Sequence, residues 1–242
     1  MPPSPRDRRP RAVRRAAAVA LLLAALAGCG DAGGLRGAGA TPTAAGPLRL
    51  WPELTPAASP AFTIGEVDTE VVRGITVPGG GVREVDPVAV VRAEIAGHPD
   101  DYAGAEAPYR GTVGRMAACA GGAGTGGCPV LGPYHRDLTG DGRDDLVLGF
   151  RLLPGRTTAV RVYTADDRHR LVRVMAWEDA VSAVELAGRS LIIRSPSEVA
   201  GYEYRLTWTW DPDQRAMLLT QDEMLRTGHR PASPRPSPSA DR

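Results

Sequence analysis

The chain has 242 residues, enough for one ordinary domain with tails. Its 29 basic residues are all Arg and face 28 acids, for a formal net charge of +1. Six of those Arg and one acid precede Cys29; the chain from Cys29 onward carries 23 Arg and 27 acids with no Arg cluster, which excludes the phosphate backbone of a nucleic acid as a partner.

Residues 1–15 are rich in Arg and Pro, and residues 16–28 form an apolar run of Ala, Val and Leu closed by Gly28. That run falls short of the roughly 20 residues a membrane-spanning helix needs and has the length of a signal-peptide core. Leu26-Ala27-Gly28-Cys29 then resembles the lipobox of bacterial lipoproteins. The resemblance implies cleavage before Cys29, a diacylglycerol on its thiol, and a chain tethered to the outer face of the cytoplasmic membrane. Arg8-Arg9 and Arg14-Arg15 leave both the general and the twin-arginine export route open.

Residues 29–61 are mostly Gly, Ala, Pro and Thr and read as a flexible linker. Residues 62–227 read as the globular domain, its dense core starting near Val82, and residues 228–242, with Pro231, Pro234, Pro236 and Pro238, as a disordered tail. Asp86 before Pro87, then Val88, Val91 and Ile95 at helical spacing, predicts a helix that Gly97 and Pro99 stop.

Cys119 and Cys128 are an even pair in an exported chain, so the expectation is a disulfide closing the Gly-rich loop between them. Two Cys without clustered His do not make a zinc site. Beyond Pro129 the pattern turns to strands at 146–152, 158–164, 171–177, 181–186, 191–194, 202–210 and 216–220, joined by short polar turns, with a last helical piece at 221–226. The fold class expected is α+β: a β-rich antiparallel meander with an N-terminal helix.

The most specific internal motif is the run from Asp137 to Asp145, which leads straight into Leu146 and Val147. Ca²⁺ takes six to eight hard oxygens, and a curled loop supplies them from alternate positions. Side-chain oxygens would come from Asp137, Thr139, Asp141 and Asp145, with the Arg143 carbonyl between them and Gly142 at the sharp turn. Here the chain resembles the Asp-x-Asn-Gly-Asp-Gly-x-x-Asp loop of FG-GAP/VCBS repeats, the calcium-binding blades of integrin-type β-propellers. The resemblance spans about 15 residues, 136–150, and implies one structural Ca²⁺. Thr139 stands where the family has Asn or Asp, which removes a good ligand. No second copy of the loop occurs, so a complete propeller is not expected.

Tyr202, Tyr204, Leu206, Trp208 and Trp210 alternate with polar residues, and this strand reads either as the core or as a platform for stacking on sugar rings. His98, His135, His169 and His229 are scattered without ligand spacing, and no catalytic motif occurs. The expectation is a non-catalytic, calcium-stabilised binding or scaffolding domain facing an envelope protein or glycan. The alternative is an extracytoplasmic hydrolase, in which Glu178, Asp179 or Glu223 would meet another acid in a pocket.

Overall fold

The computed structural model describes residues 46–54, 69–79 and 81–227. Residues 1–45, with Cys29 and the expected signal peptide, most of the stretch expected as a linker, and the expected tail at 228–242 lie outside the described residues. Ten strands form two antiparallel sheets.

Each sheet is a four-strand meander with one earlier strand added at its edge. The first meander runs β3 (Tyr134–Arg136), β4 (Asp145–Leu152), β5 (Thr157–Ala165) and β6 (Arg170–Asp179), and β2 (Glu70–Thr76) pairs with β6. The second runs β7 (Ala183–Ala187), β8 (Ser190–Pro196), β9 (Tyr202–Asp211) and β10 (Ala216–Arg226), and β1 (Leu48–Leu50) pairs with β7. The chain crosses between sheets through buried Ala180 and Val181. One continuous meander was the expectation, and the break at 180–182 divides it.

The inner faces of the two sheets share one apolar core, with Val147, Val160, Val162 and Trp177 from the first and Val184, Leu191, Ile193, Leu206 and Trp208 from the second. The other face of the first sheet is covered by helices: α1 (Pro87–Gly97), the single turn α2 (Pro99–Tyr102), α3 (Arg110–Arg115) and a 3₁₀ helix at Met116–Gly121. Val88, Val91, Tyr102 and Met116 pack there against Leu146, Leu148, Phe150 and Leu152. The middle sheet is therefore covered on both sides, which is why β4 reads as a continuous apolar run instead of alternating. Asp86 caps α1 as expected, its carboxylate accepting from the Val88 amide at 2.9 Å, with Pro87 in the first turn.

Two expectations give way. Residues 48–50 fall inside the stretch read as linker, yet they form β1; Leu50 pairs with Val184 and is fully buried. Three residues set among Gly and Pro are too few to leave a periodic signal. Residues 221–226 are strand and not helix: Glu223, Met224 and Arg226 pair with Arg205, Tyr204 and Tyr202. Their helix-forming side chains are overridden by the ladder along β9 and by the Arg205–Glu223 ion pair at 3.0 Å. No helix among the described residues is long and apolar enough to cross a membrane.

Candidate functional site

The Asp-rich loop joins β3 to β4, and each of its three key carboxylates is turned onto the loop's own donors. Asp137 accepts from the amides of Gly140 and Gly142. Asp141 accepts from the Arg143 amide at 2.9 Å and from its guanidinium at 2.9 and 2.7 Å. Asp145 accepts from the amides of Leu138 and Thr139 at 2.8 and 2.9 Å. Arg143 therefore holds Asp141 through both its amide and its side chain. Partial burial pushes the Asp141 pKa up, but the bonds from Arg143 outweigh it and hold the carboxyl below the ordinary aspartate value. Asp145 shifts the other way: its burial dominates the opposing bonds from Thr139, Thr164 and Leu138.

Arg189, in the turn between β7 and β8, reaches over from the other sheet. Its guanidinium donates to the carbonyls of Leu138 (3.3 Å) and Thr139. Gly140 lies beneath it with φ +77, and a Cβ there would overlap the guanidinium. Among the described residues three cations thus stand against the loop: Arg143 from its own residues, Arg189 from the other sheet, and Arg83, whose guanidinium pairs with Asp144 at 2.5 Å. Among the described residues no three His, Cys, Asp or Glu side chains stand together as a metal site. Two oxygens of the expected ligand set, Thr139 Oγ1 and Asp145 Oδ1, are buried without a hydrogen bond of good geometry, although Asp141 lies near the first and the Thr164 hydroxyl near Asp145. The donor set fits a hard cation at those two atoms, while Asp141 is occupied by Arg143.

Cys119 and Cys128 are joined, as expected, with an S–S distance of 2.00 Å. The bridge closes a loop in which Gly122, Gly124 and Gly127 all take positive φ. That loop is one wall of a hollow of about 510 Å³. Trp51, Leu54, Leu131 and Leu153 also line it, and Arg115, Arg151 and Glu53 supply its charge.

A third constellation has no counterpart in the sequence reading. Glu94 of α1 and Arg161 of β5 are both buried between the helices and the sheet and meet at 2.8 Å. Tyr163 donates to the other Glu94 oxygen at 2.7 Å, and Arg173 lies 3.8 Å from Glu94 and 3.0 Å from Glu70. Glu178 binds the far side of the Arg161 guanidinium and accepts from Tyr109 at 3.1 Å. His98 sits 3.1 Å from Glu70. A hollow of about 150 Å³, lined in part by Glu94, Asp101, Tyr102, Arg161 and Glu178, opens onto this cluster. The signal that could have found it was faint: Arg161 and Arg173 sit inside otherwise apolar strands, and Glu94 follows Val91 by three residues on a buried helix face.

The cluster bears on the hydrolase alternative, because Glu178 does meet a second acid, Glu94. They meet on Arg161. Burial alone would raise the Glu94 pKa, but Arg161, Arg173 and the Tyr163 hydroxyl reverse that and hold it below the ordinary glutamate value. A carboxylate kept ionised in this way is a poor proton donor, and general-acid glycoside chemistry needs the opposite shift. Asp179 is buried and accepts from the Ala180 amide, while Glu223 lies on the other sheet, paired with Arg205. His135 is half-buried, and that burial lowers its pKa.

The aromatic strand divides. Leu206 and Trp208 are in the core, with Trp208 against Trp177 at 5.5 Å, while Tyr202, Tyr204 and Trp210 are half-buried. Comparison of the chain with family models, with curated proteins and with solved structures returns no match.

Proposed function

We propose that this is an exported lipoprotein, anchored through Cys29, whose two-sheet domain acts as a binding or scaffolding module at the outer face of the membrane. The single observation that carries the reading is the Cys119–Cys128 bridge in the wall of the wide hollow. A disulfide of this kind persists in an oxidising compartment, and here it closes a loop that forms one wall of a recess of ligand size. The neutralisation of Glu94 and Glu178 on a shared Arg161 favours binding over hydrolysis.

The anchor is tested by expressing the full chain in a bacterial host fed labelled palmitate. Wild type should carry label and sediment with membranes; Cys29→Ser should carry none and appear in the soluble extracytoplasmic fraction. An unlabelled wild-type chain would remove the lipoprotein reading.

We also propose that the Asp137–Asp145 loop takes one structural Ca²⁺. Its support is the pair of buried oxygens without a hydrogen bond of good geometry, Thr139 Oγ1 and Asp145 Oδ1, at the third and ninth positions of the loop. The ion would supply the positive field that these oxygens lack. A ligand bound only by the folded state must raise its melting temperature. The full chain should melt higher in Ca²⁺ than in EDTA, and Asp145→Asn should abolish the difference. Identical curves for wild type in the two media would show that the loop relies on its arginines, Arg83, Arg143 and Arg189, and takes no metal ion.

A further inference from the structure

The hollow beside the disulfide loop has a charge pattern that points to its occupant. Arg151 is the single exposed position of β4, set between buried Phe150 and Leu152. Arg115 ends α3. Thr112, fully buried, ties that helix to the strand: its hydroxyl donates to the Arg151 carbonyl at 3.1 Å and accepts from the Leu153 amide at 2.9 Å. This bridge brings Arg115 and Arg151 to the same recess. Neither guanidinium is held by a carboxylate among the described residues, a state they share with exposed Arg such as Arg92 and Arg136; what sets them apart is that both line one recess. Glu53 is the one acid at the recess, so Arg is in excess there.

The rest of the lining combines apolar side chains with Thr125 and the Gly-rich backbone beside it. The Trp51 ring lies so close over Gly149 that a Cβ there would be 2.8 Å from it, and the indole N–H donates to the Gly132 carbonyl at 2.8 Å. Trp51 holds φ at +43, a conformation L-residues rarely adopt and one that accumulates at ligand sites. A peptide partner would need a row of free backbone groups, but the segment beside the recess has spent its own on β4: Leu131 donates to Gly149 at 2.8 Å and Pro129 accepts from Arg151 at 2.9 Å.

We infer that this recess binds a small apolar anion, an aliphatic monocarboxylate whose chain lies on Trp51, Leu54, Leu131 and Leu153 and whose carboxylate pairs with Arg115 and Arg151. A volume near 510 Å³ is within the range of small-molecule sites. Two charge-assisted bonds to one carboxylate give both orientation and preference for the charged head. The inference deepens the binding-module reading and rests on it, but it does not depend on the lipid anchor or on Ca²⁺.

The test uses the full chain expressed without lipid modification, with the fluorescent apolar anion 1-anilinonaphthalene-8-sulfonate as reporter and decanoate as competitor. Decanoate should displace the reporter in a saturable titration, and decanol, with the same chain and no charge, should compete far more weakly. Arg115→Gln/Arg151→Gln should weaken decanoate about ten-fold or more. Arg168→Gln, an exposed control, should leave it unchanged. The far-ultraviolet circular dichroism of both variants should match wild type, as befits exposed positions. Equal decanoate binding by wild type and the double variant, equal competition by decanol, or no saturable binding would each overturn the inference. A Cys29→Ser chain that stays membrane-bound would count against the anchor and leave this result standing.

Discussion

Two charged regions of the molecule solve the same electrostatic problem in opposite ways. The Asp-rich loop gathers its acids within nine residues of sequence and turns Asp137 and Asp141 onto the amides of the same loop, with Asp145 alone buried beneath it. The Glu94–Arg161 cluster draws its members from α1, β2, β5 and β6, burying Glu94, Arg161 and Arg173 between a helix and a sheet with Glu70 and Glu178 at its exposed rim. A surface loop that closes on itself loses little when one group is removed. A buried network loses much, because the remaining charge has no solvent to turn to.

The contrast is broken most directly at its strong end. Glu94→Ala leaves Arg161 buried with only Glu178 as a carboxylate partner, and should cost about 3–5 kcal/mol in urea unfolding. Replacing Glu94 and Arg161 together by Leu and Met should recover most of that loss, since an apolar pair of similar volume needs no counter-charge. A double variant no more stable than Glu94→Ala would show that the cluster does not act as a closed electrostatic unit.

Next comes the bridge between Cys119 and Cys128. Replacing both with Ser should cost about 2–3 kcal/mol for a loop this short. The same change should weaken binding of the fluorescent anion, because the loop is a wall of the recess. Loss of stability with unchanged binding would separate the loop's folding role from its role at the recess.

Acid titration sharpens the comparison further. Glu94 has a folded pKa below its ordinary value of 4.5, so the stability it contributes is complete above about pH 4.5 and is lost as the pH falls through the lower folded value. In the loop, Asp141 is lowered and Asp145 raised, so their contributions oppose one another over the same acid range. Urea midpoints measured from pH 6 downward should therefore fall in wild type and flatten in Glu94→Gln, while Asp141→Asn, which leaves the raised Asp145 unopposed, should flatten the curve by less. If Asp141→Asn flattens the curve more than Glu94→Gln, the ranking of the two regions is reversed.

The smallest effect is expected at Gly140. A side chain there meets both a positive φ and the Arg189 guanidinium, so Gly140→Ala should cost about 1–2 kcal/mol. Most of that cost should persist in an Arg189→Ala background if φ is its main cause, and should shrink if the clash is. A double-mutant cycle by thermal melting distinguishes the two.

The legible parts of this protein are those whose cause is local. The cap at Asp86 with Pro87, the disulfide, and strands β4 to β9 were all readable because each rests on neighbouring residues: a short side chain reaching the next amides, two Cys nine apart, a run of β-branched and apolar residues. The curl of the Asp loop was legible for the same reason, in that Asp137 can reach the amides of Gly140 and Gly142 without leaving its own turn.

What only the tertiary structure decided depends on surfaces far apart in sequence. β1 exists because Val184 and the core accept Leu50, and residues 221–226 are strand because β9 offers them a ladder. The split of the meander into two sheets accompanies burial of Ala180 and Val181 at the crossover. Arg189 over Gly140, Glu94 on Arg161, and the joint placement of Arg115 and Arg151 join residues from distant parts of the chain, 67 positions apart in the case of Glu94 and Arg161, and no spacing rule reaches that far. Sequence by itself determined the local turns and the strand-forming runs, and it alone carries the expected address in residues 1–29, because backbone sterics and hydrophobic periodicity act over a few residues. Which charges were buried together, and which two Arg were left to face an open recess, was decided when the sheets and helices closed on one another.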